Sequence, residues 1–409
     1  MEVLYPRCAG LDVHKDSVVA CARIATGGAV GQTVETFGTT TTGLLRLLDW
    51  LNEHGCTHVA MEASGEFWKP VWHVLDESFE LVLANAAHIK NVPGRKTDVA
   101  DATWIADLLA HGLIRASFVP PAPIQELRAL TRTRKQLVRE KASHVNRIHK
   151  VFEDANLKFG SVASDIMGTS GRCVVDGLIR GITDPEKLAD LTAGRLKAKR
   201  ADLVESLRGR VTKHHRFLLK LHFSQVKQIE KAIADVDSEV GVSLEPFREC
   251  AERLMTMPGV SDTVAHVIVA EIGIDMSRFP TAGHLISWAG LCPRSDESAG
   301  KRRSTRTRKG APWLKTTLVG AAWSAIKTKG SYLRAQFLRL KTRRGPKKAI
   351  MAVAASMLTA SYFMLRDHKE YRDLGSEYFD GLDSEAKARR LVRKLRELGY
   401  EADLRPVAA

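Results

Sequence analysis

Four carboxylates in this basic chain are notable for their order and their surroundings. Asp12 lies in GLDVH, an apolar run that predicts a β-strand, and Glu62 ends another such run, HVAME. Asp98 and Asp101 are three residues apart in KTDVADATWIADLL, which places both on the same side of a helix. Carboxylates suit Mg²⁺, and two such ions roughly 4 Å apart stabilise both the attacking and the leaving oxygen. The pattern therefore favours metal-assisted chemistry on phosphodiesters.

Each of these acids also has a structural interpretation. A D-x-x-D pair is common on surface helices, and the charge of Asp98 would stabilise a helix N-terminus. Glu66 lies close to Glu62 and is an alternative ligand. Asp12 is the hardest to explain structurally, because an acid between apolar strand residues costs stability unless it has a partner.

A second candidate site is the segment CPRSDESAGKRRSTRTRKG. Its KRRSTRTRK portion is dense in cations, which suits a loop that grips phosphates; they are Lys301, Arg302, Arg303, Arg306, Arg308 and Lys309. Ser295, Ser298 and Ser304 lie in the same segment, and a serine becomes a nucleophile when its hydroxyl is activated and the developing charge is stabilised. Loop serines are more often turn residues, so chemistry alone does not choose among the three.

The acids fall in a region, residues 1–120, that predicts an α/β sheet domain. Its first strands, CAGLDVH, SVVACARI and QTVETF, are separated by short turns and predict a meander. The leucines of TTGLLRLLDWLNEHG then recur at helical spacing, with Gly55 as the stop. Further strands and helices alternate up to a helix for which Thr97 is the expected N-cap.

Pro120 and Pro121 mark a linker, and residues 121–245 read as a connector of long helices. Two charged segments, beginning at Ile124 and Leu207, carry apolar residues at spacings of three, four and seven. Such helices are expected to form an antiparallel coiled-coil hairpin, or to pair with another protomer.

Residues 246–367 predict an all-α domain that contains the serine segment. Within it, MTMPGVSDTVAHVIVAEIG resembles a helix-hairpin-helix, with Pro258 and Gly259 in the tight turn. Such hairpins present backbone N–H groups to a phosphate. Ser261 stands where a second glycine is common, so a purely structural turn is the alternative. Residues 368–409 predict a charged appendage with a helix and a possible short strand.

The net charge of +15 indicates a polyanionic partner, since neutralising phosphates releases counterions. The six cysteines are scattered without a CxxC pair, as expected of core residues or free thiols in a reducing cytoplasm.

Charged and polar residues interrupt the first twenty positions, unlike a secretory leader. The most apolar late stretch, AIMAVAASML, is shorter than a membrane span of about 20 residues, so no membrane partner is expected.

Taken together, these motifs resemble the DEDD-type insertion-sequence transposases, a family guided by a bridge RNA. GLDVHKDS, MEASGEFW and KTDVADATWIADLL resemble its N-terminal resolvase-like domain, and MPGVSDTVAHVIVAEIG and SWAGLCPRSDESAGKRRSTRTRKG resemble its C-terminal transposase domain. The resemblance covers most of the chain. It implies an RNase H-like (RuvC-like) domain, a coiled-coil connector and a helical C-terminal domain.

The resemblance also implies roles for particular residues. Asp12, Glu62, Asp98 and Asp101 correspond to the family's metal-binding tetrad for Mg²⁺ or Mn²⁺, and Ser298 to its catalytic serine. The implied partners are DNA, a guide RNA and further copies of the chain, as a dimer or tetramer with a composite active site. The expected place of action is the bacterial cytoplasm, at the nucleoid.

Three other functions stay open at this stage. A site-specific DNA invertase would use the same chemistry. A structure-selective nuclease would use only the acids and water, with the serine segment as a binding loop. A non-catalytic nucleic-acid-binding protein derived from a transposase would use neither site for chemistry.

Overall fold

The computed structural model describes residues 3–26, 29–63, 65–85, 89, 100–293, 296–298, 300–304, 306–307, 310–381 and 384–402. The chain divides into two compact units, Met1–Val119 and Pro120–Ala409. Each unit has its own buried cluster of apolar side chains.

The first unit is built on a five-stranded mixed sheet in the order β3-β2-β1-β4-β5. Strands β1, β2 and β3 form an antiparallel meander, as predicted, whereas β4 and β5 run parallel to β1. β1 is therefore the central strand. The strands are β1 (Arg7–Val13), β2 (Ser17–Thr26), β3 (Ala29–Gly38), β4 (His58–Glu62) and β5 (Glu80–Ala84).

Helices cover both faces of this sheet. Helices α1 (Thr41–Glu53) and α2 (Trp68–Leu75) pack on one face, with Leu47 and Leu75 fully buried. Helix α3 (Ala100–Ala110) packs on the other face. A mixed sheet of this order between helices is consistent with the predicted RNase H-like domain. The expected N-cap of α3, Thr97, lies outside the described residues.

The second unit begins with two long helices, α4 (Ala122–Asp154) and α9 (Lys213–Ser243). They pack antiparallel, because Arg134 of α4 pairs with Asp237 near the end of α9, and Asp154 with His215 near its start. The predicted antiparallel hairpin of long helices is confirmed. The second helix begins later than expected, since Thr212 caps it by accepting the N–H of His215.

Four short helices between the long pair form a small cap at one end. The buried side chains of Phe152, Phe159 and Phe223 tie this cap to both long helices. The cap helices are α5 (Phe159–Val162), α6 (Thr169–Arg180), α7 (Pro185–Asp190) and α8 (Arg200–Ser206).

In the described residues that follow, the elements are helices with one exception, which corrects the all-α prediction. A two-stranded antiparallel hairpin, β6 (Asp296–Ser298) and β7 (Lys301–Ser304), interrupts the helices. The helices are α10 (Arg248–Met255), α11 (Asp262–Ile272), α12 (Ala282–Ala289), α13 (Pro312–Ala325), α14 (Tyr332–Arg344), α15 (Pro346–Asp367), α16 (Tyr378–Gly381) and α17 (Ser384–Glu397).

Helix α15 is the core helix of this region. At 22 residues it is long and apolar enough to cross a membrane, the one such helix in the described part of the chain, so the length argument made from AIMAVAASML was wrong. More than half of its most apolar window is buried inside the protein, however, and Val353, Ala354 and Leu358 are fully enclosed. Burial of this kind is expected of a core helix.

The segment after α15 packs back on the helices. The side chain of Asp373 accepts the Tyr332 N–H at 2.9 Å, and the Tyr371 N–H donates to the Thr256 hydroxyl at 3.0 Å. Residues 398–402 contain no strand, and the rest of the possible strand lies outside the described residues.

Candidate active site

Asp12 and Glu62 lie side by side on the face of the sheet that α3 covers. The parallel register pairs Leu11 with Met61, so the next positions, Asp12 and Glu62, are neighbours. Side chains alternate along a strand, and Leu11 and Met61 fill the core on the opposite face. Both carboxylates therefore project from the same side of adjacent strands.

Helix α3 brings Asp101 to this face. It runs antiparallel to β1, because Ala110 at its end accepts the N–H of Leu4 at 2.8 Å and Ala106 lies against Cys8. Its first turn, which carries Asp101, therefore points along the strand towards Asp12. Asp98, the fourth predicted acid, lies outside the described residues.

Gly10 is what allows α3 to lie so close to β1. A Cβ built on Gly10 would stand 2.2 Å from the carbonyl oxygen of Ala102 and 2.3 Å from the backbone nitrogen of Ala106. Since both contacts are backbone atoms, no side chain fits at position 10 without moving the helix. This glycine, two residues before Asp12, fixes the approach of the Asp101 helix.

His14 is a neighbour of Asp12 that the sequence analysis did not select. Its Nε2 lies 3.2 Å from Oδ2 of Asp12, and its side chain is 59% exposed against 20% for Asp12. The D-x-H spacing on a strand could have revealed it, because residues two apart share a face.

The alternative ligand Glu66 is less well placed. It is exposed, lies in the turn before α2 and pairs with Lys69. Glu62, in contrast, is half-buried at the end of β4 beside Asp12. The geometry favours Glu62 over Glu66 as a partner of Asp12.

The acids present fit a hard divalent cation by chemistry, since their donor atoms are all carboxylate oxygens. Among the described residues, however, no three or more His, Cys, Asp or Glu side chains are gathered closely enough to hold an ion. The structure therefore places Asp12, Glu62 and Asp101 on facing surfaces of the sheet and α3, but it does not gather them into a metal site.

Ser298 lies at the tip of the β6–β7 hairpin. It is the last residue of β6 and pairs with Lys301, so the connecting loop has two residues, Ala299 and Gly300. Gly300 has a φ of +72°, the left-handed conformation that short hairpin turns require. The turn thus defines the backbone position of Ser298.

The base of the hairpin is fixed by a second glycine contact. Gly310 has a φ of +52°, and a Cβ there would lie 2.5 Å from the backbone nitrogen of Gly290. Pro293 and Thr307 form an isolated antiparallel bridge nearby, and Lys315 donates to the Thr307 hydroxyl at 2.8 Å. These contacts attach both ends of the hairpin segment to α12 and α13.

Of the three candidate serines, the structure describes the side chain of Ser304 and the backbone of Ser298. The hydroxyl of Ser304 accepts the N–H of Arg306 at 3.2 Å, which is the behaviour of a turn residue. Ser295 lies outside the described residues. Ser298 is the candidate at the hairpin tip.

Two of the six predicted phosphate-binding cations, Lys301 and Arg306, have exposed side chains. Arg302 and Arg303 lie on β7 with only their backbone described, and Arg308 and Lys309 lie outside the described residues. Lys301 therefore lies beside Ser298 at the hairpin tip, whereas Arg306 follows β7 at the open end of the hairpin.

The predicted helix-hairpin-helix corresponds to α10, a tight turn and α11. Gly259 in the turn has a φ of +82°, and a Cβ on it would lie 2.5 Å from both Ala321 O and Ala325 N of α13. Close packing against α13 is therefore a sufficient reason for a glycine at position 259. A phosphate contact through its N–H stays a prediction.

A buried ion pair joins α4 to α11. Glu271 is 1% exposed, and its two carboxylate oxygens accept hydrogen bonds from Nε and Nη2 of Arg132, at 2.8 and 2.9 Å. Arg128 donates to the carbonyl oxygens of Ala270 and Glu271, and burial lowers its pKa to about 10. No local sequence pattern indicates this contact, because the partners are 139 residues apart.

The start of α13 is held against the same long helix. Lys135 donates to the Trp313 carbonyl oxygen and to the Thr317 hydroxyl, at 3.1 and 3.0 Å. The guanidinium of Arg139 stands 5.1 Å from the centre of the Trp313 ring, within range of a cation–π contact. The helix that follows the serine hairpin is thereby anchored on α4.

Comparison with known proteins identifies both parts of the chain. A family model described as a transposase matches residues 9–156, and a model of the transposase IS116/IS110/IS902 family matches residues 251–338. A putative transposase, y4pF/y4sB, of Sinorhizobium fredii is 23% identical over 77% of this chain and 74% of its own length. The transposase for insertion sequence element IS1111A of Coxiella burnetii is 23% identical over 78% of this chain and 79% of its own length.

A different kind of relative matches a shorter stretch. The pilin gene-inverting protein of Moraxella bovis is 34% identical over 127 residues, which is 30% of this chain and 38% of that protein.

The two matched regions lie in the sheet domain and in the helical region, and both identify the chain as a transposase, an enzyme that cleaves and rejoins DNA. Within that class, the chain belongs to the IS110-type transposase family.

Proposed function

We propose that the chain cleaves and rejoins DNA strands of an insertion sequence through a covalent link to Ser298. The observation that carries the proposal is the position of Ser298 at a two-residue hairpin tip, paired with Lys301 and shortly before a run of cations. Of the other candidates, Ser304 has its hydroxyl engaged in a turn.

In the proposed step, Oγ of Ser298 forms a bond to the phosphorus of the scissile phosphodiester. The bond from phosphorus to one deoxyribose oxygen breaks, and that oxygen leaves with a proton. A serine hydroxyl is a weak nucleophile near neutral pH, so its own proton passes to a general base. Because the phosphoserine linkage keeps the phosphodiester bond energy, the released hydroxyl reverses the step to rejoin DNA without an external energy source.

Two groups of side chains have proposed tasks in the reaction of the scissile phosphate. Lys301 and Arg306 bind its oxygens by charge and hydrogen bonds. Asp12, Glu62 and Asp101, with Asp98, would hold Mg²⁺ or Mn²⁺, which supplies neutralisation of the charge that develops on the phosphate. Support comes from the shared face of Asp12 and Glu62 and from the close approach of the Asp101 helix.

Trapping the covalent link tests this proposal. With a nicked DNA substrate that prevents rejoining, wild-type protein is expected to give a protein–DNA adduct that survives denaturing electrophoresis. Ser298→Ala should remove the adduct completely, because no other hydroxyl occupies the hairpin tip. Ser304→Ala is the matched control in the same hairpin and should retain most of it. An undiminished adduct in Ser298→Ala would refute the role of this serine, and hydrolysis without any adduct would favour the metal-dependent nuclease.

The proposal extends to an RNA guide and to an assembly of two or more copies, acting in the bacterial cytoplasm. Both follow from the resemblance to the bridge-RNA-guided family, and the net charge of +15 is compatible with a nucleic-acid guide. Sequencing the RNA that copurifies with the protein, against nuclease-treated controls, tests the guide. A discrete RNA encoded beside the gene is expected, whereas a random cellular mixture would contradict it.

Site-specific inversion is a second candidate function. It is favoured by the similarity to the Moraxella bovis pilin gene-inverting protein over 127 residues. A plasmid carrying two inverted copies of a recognised site separates the candidates, since an invertase flips the intervening segment and a transposase excises or inserts it. Tight DNA binding with no cleavage in either assay would instead favour a non-catalytic binding protein.

A further inference from the structure

The positive charge of this chain is concentrated in one segment. Residues 298–366 contain 17 Lys and Arg and no Asp or Glu, which exceeds the net charge of +15 for the whole chain. The remaining residues are thus close to neutral. This segment begins at the serine hairpin but extends well beyond it, through α13, α14 and α15.

Five of these cations meet where α14 turns into α15. Helix α14 ends at Arg344 and α15 begins at Pro346, with only Gly345 between them at a φ of +79°. The two helices run antiparallel and are tied by the hydrogen bond from Gln336 to Ser356, at 2.8 Å. We call this turn the basic corner; its cations are Lys341, Arg343, Arg344, Lys347 and Lys348.

All five side chains of the basic corner are exposed. None of them forms an ion pair or a side-chain hydrogen bond with any residue that the structure describes. Cations elsewhere on the surface behave differently, since Arg180, Arg200 and Arg248 each pair with a nearby acid. An ordinary solvated surface mixes both signs of charge, and this corner does not.

The helix dipoles favour three of these cations and disfavour the other two. Lys341, Arg343 and Arg344 lie in the last turn of α14, where the helix dipole favours positive charge. Lys347 and Lys348 lie in the first turn of α15, where the dipole disfavours it, and no acid lies there to compensate. The corner therefore carries an electrostatic cost that a bound polyanion would relieve.

We propose that the basic corner binds the phosphate backbone of duplex DNA, as a contact separate from the serine hairpin. Exposed cations on rigid helices contact phosphates and position a duplex without reading its sequence. Duplex DNA is the occupant because enzymes of this family act on DNA and the corner belongs to the same acid-free segment as the hairpin. The matched part of the C-terminal family model ends at residue 338, before the corner.

The inference depends on DNA being a partner, and it does not depend on the nucleophilic role of Ser298. Its test is therefore a binding measurement with the full chain. The corner variant replaces Lys341, Arg343, Lys347 and Lys348 with Gln. The control variant replaces Arg180, Arg200, Arg208 and Arg248 with Gln, which removes the same charge from exposed residues that pair with acids.

Affinity for a random-sequence duplex is measured by fluorescence anisotropy at several salt concentrations. Each phosphate contact contributes about 0.9 to the slope of log affinity against log salt. Loss of four contacts should reduce that slope by roughly 3 to 4 and weaken binding about 10- to 100-fold near 0.1 M salt. The control variant should stay within about threefold of wild type, since its paired cations make no phosphate contact.

Equal losses in both variants would overturn the proposal, because bulk charge would then explain them. A corner variant that loses affinity for RNA but keeps its affinity for the duplex would overturn it as well.

Lysine acetylation of the wild-type protein gives a readout that needs no variant. Duplex DNA should protect Lys341, Lys347 and Lys348 but not Lys187 and Lys199, which are exposed in the cap. Equal acetylation with and without duplex would also refute it.

Discussion

Asp12 keeps part of its side chain accessible although it lies on the central strand of a sheet. Its carboxylate is 20% exposed and, among the described residues, pairs with His14 alone, which is itself more than half exposed. Burial of an unpaired charge is costly, so a carboxylate here needs either solvent or a cation. Under the proposed function, that cation is the divalent metal held together with Glu62.

Asp12→Asn should therefore abolish cleavage that depends on a divalent metal. The amide keeps the size of the side chain but loses its negative charge, and we expect a loss of about 100-fold or more in strand cleavage at saturating Mg²⁺. Asp16→Asn is the control, because Asp16 is exposed in the following turn. Unchanged cleavage in Asp12→Asn would exclude Asp12 as a ligand.

Glu230 of α9 pairs with Lys141 of α4 and with Arg172 of the cap helix α6. Hydrogen bonds from Arg172, with support from Lys141, lower its pKa to about 2 from an ordinary value of 4.5. Because the folded-state pKa is the lower one, the stabilisation is complete above about pH 4.5 and is lost as the pH falls towards 2.

Glu230→Gln should lower the free energy of unfolding by about 1 to 2 kcal/mol at pH 7, the range for a partly exposed carboxylate held by two cations. Urea denaturation at pH 7 and pH 3 measures it, and the difference from wild type should shrink at the lower pH. Glu245→Gln, at an exposed pair with Arg248, should have no measurable effect. A difference that is independent of pH would show that the charge of Glu230 is not the cause.

At the level of elements, the contact of α3 with β1 determines how near Asp101 comes to Asp12. Adding a methyl group at Gly10 would place it within 2.3 Å of the α3 backbone. Gly10→Ala should therefore destabilise the first unit by about 3 kcal/mol, since an overpacked backbone contact has no flexible side chain to yield.

Thermal unfolding followed by circular dichroism measures this effect. Gly31→Ala on the exposed edge strand β3 is the control, because the nearest atom to its added Cβ is 3.9 Å away. If both variants unfold alike, then α3 is held by other contacts and Gly10 does not set its position.

The elements differ in how well the sequence predicted them. The long helices were predictable because apolar residues recur at helical spacing over more than thirty positions, which is a strong signal. The β6–β7 hairpin was missed because its strands, DES and KRRS, contain no apolar alternation. Its pairing depends on the Gly300 turn and on the contact of Gly310 with Gly290.

For the whole molecule, contacts that follow from the order of the strands were predictable from the sequence, and contacts that follow from tertiary packing were not. The neighbouring positions of Asp12 and Glu62 follow from strand order, so a sheet prediction contains them. The contact of Arg132 with Glu271 follows from tertiary packing, which no local pattern encodes. The boundary of the first unit at Val119 coincides with a proline pair that composition alone reveals.

The length of the antiparallel pair of α4 and α9 can be compared with that of a DNA duplex. A helix of 33 residues spans about 50 Å at 1.5 Å per residue. One end is fastened to the helices that carry the serine hairpin, and the other ends in the cap of short helices. At 3.4 Å per base pair, a duplex that followed this helix pair from end to end would need about fifteen base pairs.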